Sequence, residues 1–596
     1  MKSVKHISAV TKVARHQSDS EVVPQHFGSG LDRWAHSQLA QLTGGISPTS
    51  LRLAFEDWLT HLALSPDEQV QLTNEYLNLL SQVFAVPAKA NALPTDLKGN
   101  VIDADKRFAN SAWEIWPFNI ISKSFLLNQH WWQLATTNVL GVSKHHQDVV
   151  QFILRQMVDM CSPANFICLN PEVLSLTAKT GGRNLMQGYE NFLDRLNRIQ
   201  NKLPPLGAEE FEVGKAVAVT PGKVIYRNQL IELIQYEPST PKVHPEPILM
   251  VPAWIMKYYI LDLSPSNSMV KYLVDQGHTV FMISWLNPGS QERDLGMDDY
   301  LNMGVMESIK AINIIVPDKK IHGVGYCLGG TLLAIAAAAM GGNKDDRLAS
   351  ITLFAAQTDF TEPGELSTFI DASQIAFLED IMWEKGYLDS RRMNGAFQLL
   401  NSNDLLWSRI LRNYLLGQSS PLNDLAAWNA DGTRLPYRMH SEYLRTLFLN
   451  NDLAAGRYRV NQKPIALANI DCPIFCVATV RDHVAPWPSV YKLHLLTHVE
   501  LTFLLSSGGH NVGIVNPPGV PDRSFQVQLH NPQEDCIDYE QWKKTAPYHE
   551  GSWWPYWLKW LNERSGKLTE PPPLGTTDKK GYPVLANAPG TYVLQR

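Results

Sequence analysis

The sequence is poor in cysteine. Six are spread over 596 residues: Cys161, Cys168, Cys327, Cys472, Cys476 and Cys536. No two form a C-x-x-C pair. Cys472 and Cys476 fall in an apolar, strand-like run and read as core thiols. Scattered, reduced cysteines in so long a chain point to the cytoplasm. Basic blocks are missing as well. Lys and Arg total 52 against 58 Asp and Glu, a net charge of −6, so no nucleic-acid partner is expected. The stretch up to Gln25 holds no continuous apolar run, and no signal peptide is expected. The longest small-apolar run, Thr331 to Met340, falls short of the roughly 20 residues that span a bilayer. It reads as a buried helix, and no transmembrane segment is expected. No internal repeat is evident.

Apolar and aromatic residues are plentiful. Hydrophobic residues make up 44% and aromatics 10%, with 17 Trp. Such a supply suits a large core, or apolar surface meant to meet something greasy. The length allows about two to four domains.

Residues 1–30 are polar and are expected to form a flexible N-terminus. Residues 31–205 read as a helical N-terminal domain. Within it, 32–66 predicts helix, Gly-Gly-Ile-Ser-Pro break and helix, with Ser47 or Thr49 as the second cap. Residues 67–86 predict a third helix that stops before Pro87. Helical patterning with many aromatics continues from Arg107 to about Leu203, and Pro204-Pro205 marks a linker.

Residues 206–596 change period. Strands are predicted at 223–226, 230–236, 248–251, 279–284, 321–325, 351–355, 474–478 and 501–505. Helices are predicted between them at 267–276, 297–315, 329–340 and 488–496. Several strands are continuous apolar runs, as buried parallel strands are, and the alternation predicts a parallel sheet covered on both faces. From about 360 to 468 the alternation stops. This helical, aromatic-rich insertion sits where a cap over an active site belongs.

The chemistry is concentrated in Gly325-Tyr326-Cys327-Leu328-Gly329-Gly330. A strand-like run precedes it and an apolar helix follows. Strand, tight small-residue turn and helix make the setting of a nucleophile elbow, here with cysteine in place of serine. The fold class that follows is α/β: an α/β-hydrolase fold with a helical cap insertion, preceded by a mostly α-helical domain. A helix N-terminus beside Cys327 favours the thiolate, and the Leu328 amide becomes an oxyanion donor. A second donor is expected from the loop after 248–251, with Trp254 as the candidate. Acid and histidine must follow in that order. Asp482 ends the strand 474–478, and His510 lies in the loop after 501–505, at the sheet edge where open α/β sheets bind ligands. Each has a plain alternative: Asp482 as a turn former, His510 as a loop histidine. His483 follows the wrong strand and reads as a structural hydrogen-bonder.

In this arrangement His510 takes the proton of Cys327 and the thiolate attacks an acyl carbonyl. Asp482 either orients His510 or acts as a second base on an incoming hydroxyl. Transfer from a thioester donor to a thiol is close to isoenergetic, so the acyl group stays activated for ester formation. That favours acyl transfer and leaves hydrolysis on the same triad open.

Together these residues resemble the polyhydroxyalkanoate synthases (poly-3-hydroxybutyrate polymerases). Residues 251–288 are similar to the family's block before the elbow, and 505–519 to its histidine block. Residues 421–436, with Trp428, Asn429, Asp431 and Pro436, are similar to its cap segment. Residues 105–116 and 162–182 resemble its N-terminal domain, and 32–66 a segment that precedes it. Residues 551–566 and 588–592 resemble its C-terminus. The family's catalytic cysteine, aspartate and histidine fall on Cys327, Asp482 and His510. Ala253 and Leu286 depart from common family residues and are expected near the pocket mouth.

The resemblance implies (R)-3-hydroxyacyl-coenzyme A as substrate, polyester and free coenzyme A as products, and no cofactor beyond that substrate. It implies a single-subunit type, a homodimer, and association with cytoplasmic polymer granules. The competing readings are an intracellular polyester depolymerase or thioesterase with a Cys-His-Asp triad, and a non-catalytic granule coat protein.

Overall fold

The computed structural model describes residues 30–84, 105–201, 203–390, 392–393, 395, 406–419, 422–576 and 581–596. The segment expected to be flexible, 1–30, lies outside these apart from Gly30.

Among the described residues, seven α-helices precede the sheet: α1 (Gly30–Leu42), α2 (Pro48–Ala63), α3 (Pro66–Phe84), α4 (Phe118–Thr136), α5 (Lys144–Met160), α6 (Pro171–Thr180) and α7 (Arg183–Gln200). Of the two predicted caps it is Ser47 that acts. Its Oγ accepts from the Ser50 amide at 3.3 Å, and Pro48 fills the first helical position, where a missing N–H costs nothing. Ala54 and Trp58 of α2 pack on Val149 and Val150 of α5. The Trp58 indole donates to the Ala135 carbonyl at 2.9 Å, so its polar edge is satisfied inside this small core. Trp113 is likewise buried, whereas Trp34 and Trp116 are 57% and 63% exposed. The tryptophans here thus serve mainly as packing, with two left on the surface.

Among the described residues, eleven strands form one sheet: β1 (Gly222–Arg227), β2 (Ile231–Tyr236), β3 (Ile248–Val251), β4 (Val280–Trp285), β5 (Ile321–Tyr326), β6 (Leu348–Phe354), β7 (Ile474–Thr479), β8 (Leu501–Ser506), β9 (Ser524–His530), β10 (Tyr548–Glu550) and β11 (Ala586–Asn587). The order is β10-β9-β8-β7-β6-β5-β3-β4-β2-β1-β11. The six strands from β8 to β4 are parallel. The sheet is therefore mixed, not parallel throughout. β1 and β2 form a hairpin because Asn228 Oδ1 accepts from the Leu230 and Ile231 amides, both at 2.8 Å, which closes a tight turn. β9, β10 and β11 were not expected. β9 is half exposed, β10 is fully exposed and β11 has two residues, so none carries a buried apolar run.

The central strands are buried along their whole length because helices cover both faces. One covering helix, Trp554–Glu563, sends Trp557 Nε1 to Thr352 Oγ1 at 3.0 Å.

The insertion lies over the sheet edge and is held from outside by the N-terminal helices. Its helix Ala372–Lys385 packs on α1 and α2. Gln374 accepts from the Ser47 amide at 2.7 Å and donates to the Gly45 carbonyl at 2.8 Å. Arg155 of α5 pairs with Glu365 at 2.9 Å. Asn184 of α7 donates to the Leu415 carbonyl at 2.8 Å, and a Cβ on Gly188 would lie 1.8 Å from the Tyr414 carbonyl oxygen. Only glycine permits that approach.

Candidate active site

β5 ends at Tyr326 and the helix Leu328–Gly342 begins one residue later. Cys327 alone makes the turn, at φ 52° and ψ −122°, a conformation that side chains rarely adopt. The Cys327 amide donates to the Phe354 carbonyl at 2.8 Å and ties the turn to β6. The glycines are steric necessities. A Cβ on Gly329 would sit 2.0 Å from the Val251 carbonyl oxygen, and one on Gly325 would sit 2.4 Å from Gly330 Cα. The thiol is thereby held at the strand's C-terminal end, 9% exposed.

β7 and β8 deliver the other two side chains. The Asp482 side chain is wholly buried. Its Oδ1 accepts from the amides of Val484 and Ala485 at 2.9 and 2.8 Å. Its Oδ2 accepts from Thr479 Oγ1 at 3.2 Å and from His510 Nδ1 at 2.8 Å. A carboxylate only accepts, so Nδ1 carries the proton and the remaining ring nitrogen is free to meet the thiol. Burial alone would lower the His510 pKa. The Asp482 charge, together with its hydrogen bond to the ring and the nearby Cys327, outweighs that and holds it well above the ordinary value. The three candidate residues thus come together as one connected set.

Two residues that sequence reasoning passed over brace this set. Tyr326 donates to Asn511 Oδ1 at 2.6 Å, linking the elbow to the histidine loop, and its ring lies 5.6 Å from that of His510. Both neighbour a motif residue in the chain, which was the available signal. His483, expected to make a structural hydrogen bond, is instead exposed, with no side-chain partner among the described residues. It lies where the chain turns out to solvent.

A mostly apolar cavity opens on the thiol. Leu328 and Trp254, the two candidate oxyanion donors, line it beside Cys327. Leu328 is the first residue of its helix, so its amide has no acceptor within the helix. The Trp254 ring packs against Tyr300 and Tyr443, and its carbonyl accepts from Thr433, which fixes the loop. The insertion supplies the opposite wall, including Phe360, Leu366, Ile370, His440, Tyr443 and Phe448. Ala253 and Leu286, expected near the pocket mouth, are not among the lining residues. Ala253 is packed in the core, and the Leu286 amide donates to the Leu230 carbonyl at the hairpin. Among the described residues, no group of three His, Cys, Asp or Glu side chains could hold a metal ion, and no helix is long and apolar enough to cross a membrane.

Three family models match the chain. Residues 26–67 match the poly-beta-hydroxybutyrate polymerase N terminal model, and 104–273 match the poly-beta-hydroxybutyrate polymerase (PhaC) N-terminus. Residues 246–517 match the alpha/beta hydrolase fold. The chain is 40% identical over 492 residues to a poly(3-hydroxyalkanoate) polymerase of Methylorubrum extorquens, covering 82% of this chain and 80% of that one. It is 35% identical over 581 residues to the PhaC polymerase subunit of Rhizobium meliloti, covering 96% and 92%. It is 34% identical over 545 residues to the PhaC subunit of Cupriavidus necator, covering 90% of each. The chain belongs to the poly(3-hydroxyalkanoate) polymerase family, acyltransferases of polyhydroxyalkanoate biosynthesis, here built on an α/β-hydrolase fold.

Proposed function

We propose that this enzyme polymerises (R)-3-hydroxyacyl-coenzyme A through an acyl group carried on Cys327, releasing coenzyme A at each addition. The reading is carried by the Cys327–His510–Asp482 set beneath an apolar cap. His510 takes the thiol proton, and the thiolate attacks the thioester carbonyl. The oxyanion is held by the Leu328 amide, with the Trp254 amide as second donor. The imidazolium returns its proton to the departing coenzyme A thiolate. His510 then deprotonates the 3-hydroxyl that attacks the Cys327 thioester, forming the ester and restoring the thiol. Asp482 orients and charges His510. All its hydrogen bonds are to protein groups and its side chain is wholly buried, which favours orientation over a second base acting on the hydroxyl.

The chemistry calls for no cofactor: coenzyme A enters within the substrate and leaves as product. The working form in this reading is a homodimer on cytoplasmic polyester granules. Exposed apolar side chains of the N-terminal region, among them Trp34, Met186 and Tyr189 on its helices and Trp116 in the turn before α4, support a surface of that kind.

The test supplies purified enzyme with (R)-3-hydroxybutyryl-coenzyme A. Insoluble polyester formed together with coenzyme A supports the reading. Free hydroxy acid without polymer would make the protein a hydrolase. Activity unchanged in Cys327→Ala would remove the thiol from the mechanism.

A further inference from the structure

The cavity above Cys327 has few polar groups, and they fall into two sets. On the sheet side, Thr331 Oγ1 donates to the Gln357 carbonyl at 2.8 Å, and Gln357 Nε2 donates to Ser489 Oγ at 3.1 Å. Both already have protein partners. The cap side contributes His440 and Tyr443 from the helix Tyr437–Tyr443. They are three residues apart, so they share a face, and their rings stack at 6.2 Å and 26°.

His440 is 4% exposed and lines the cavity, yet among the described residues its ring has no hydrogen-bond partner. The other fully buried histidines among the described residues each keep at least one partner, although His278 Nδ1 is left without one; His278 Nε2 meets Asn562 Oδ1 at 2.9 Å. His322 meets Ser350 at 2.7 Å and Ser565 at 3.2 Å, and His494 meets the Tyr491 carbonyl at 2.8 Å. A buried polar ring without a partner is costly, and native proteins seldom keep one without a use. Burial pushes the His440 imidazole down to about 4, so it is neutral at pH 7. A neutral ring offers one donor and one acceptor. A hydroxyl group, which also donates and accepts, is its natural complement.

We propose that His440 is a substrate-binding residue that hydrogen-bonds the 3-hydroxyl of the acyl unit on Cys327, so that the site selects hydroxylated acyl donors. The inference rests on the polymerase reading above. In the acyl-enzyme, the 3-hydroxyl stands two carbons beyond the carbonyl attached to sulfur. It is therefore inside the cavity that His440 and Cys327 both line. A site built to bond a hydroxyl discriminates against the analogue lacking it, because its own polar group is then buried unpaired.

The test compares first-turnover release of coenzyme A, by rapid quench and chromatography, from (R)-3-hydroxybutyryl-coenzyme A and from butyryl-coenzyme A. The second donor has the same length and no hydroxyl. In His440→Phe, the rate with the hydroxylated donor should fall about tenfold or more, while butyryl transfer stays within about twofold. His440→Gln keeps a donor and an acceptor and should retain the preference. Should the phenylalanine variant not fold, His440→Met carries the same comparison. Equal losses with both donors, or no loss with either, would overturn the assignment. Wild-type enzyme that releases coenzyme A from neither donor would instead overturn the polymerase reading, and the assignment with it.

Discussion

His510 Nδ1 lies 2.8 Å from Asp482 Oδ2, and the other oxygen of that carboxylate is taken by two backbone amides. Asp482→Asn can keep the amide contacts through its own oxygen. Its NH2 group then faces Nδ1, which drives the imidazole proton to the nitrogen that should receive the thiol proton. Polymerisation is expected to fall about 10³–10⁴-fold with the fold intact. The imidazolium pKa, well above ordinary in the wild type, should drop, since the opposing charge is gone and burial remains. Steady-state kinetics and an NMR titration of His510 measure the two effects.

Cys327 holds φ 52° at the elbow. At ordinary positions alanine is more stabilising than glycine by about 0.5–1 kcal/mol. Here the order should reverse. Cys327→Gly relieves backbone strain worth about 1–3 kcal/mol, and Cys327→Ala does not. Both variants are expected to be inactive, with the glycine variant melting at the higher temperature. Calorimetry on the pair checks it. An alanine variant as stable as the glycine variant would mean that the turn stores no strain.

Much of the catalytic unit was legible in the chain. β7 and β8 are buried along their whole length and are written as mostly apolar runs. The elbow's glycines are dictated by contacts such as that of Gly329 with the Val251 carbonyl. The illegible parts depend on distant partners. β9 interposes half-buried Gln526 and Gln528 between its apolar residues and lacks the run that marked its neighbours. His440 has no local motif around it, and only the folding of the cap brings it to the cavity. The grip of the N-terminal helices on that cap joins residues 327 positions apart, as Ser47 and Gln374 are. No periodicity encodes such a contact.

His322 lies in β5 and is fully buried, and its pKa is pushed down to about 3, chiefly by burial. Between that value and the unfolded value of about 6.5, the unfolded chain binds a proton that the fold does not. Stability therefore falls as pH drops below about 6.5, by about 2 kcal/mol at pH 5 from this residue alone. Denaturant titrations at pH 7 and pH 5 should show the loss. In His322→Gln the difference between the two pH values should shrink by about the same amount, whatever the variant's stability at pH 7. An unchanged difference would place the acid sensitivity elsewhere.

Gln374 and Gln69 both bond to backbone but in different surroundings, Gln69 as donor twice and Gln374 as donor once and acceptor once, and the contrast isolates the grip on the cap. Each pairs twice with backbone: Gln69 Nε2 with the Leu62 and Ala63 carbonyls at 2.9 and 3.0 Å, and Gln374 with Ser47 and Gly45. The Gln69 bonds are exposed, so water replaces them when the side chain is lost. The Gln374 bonds are buried, and Gln374→Ala leaves an amide and a carbonyl without partners between α2 and the cap. Gln374→Ala is expected to cost about 2–3 kcal/mol in a urea titration, against less than about 0.5 for Gln69→Ala. The cap helix Ala372–Lys385 packs on Tyr437–Tyr443, which carries His440 and Tyr443. Loosening the first should therefore lower turnover as well as stability, although Gln374 does not line the cavity. Equal, small effects from both substitutions would show that the N-terminal helices do not hold the cap.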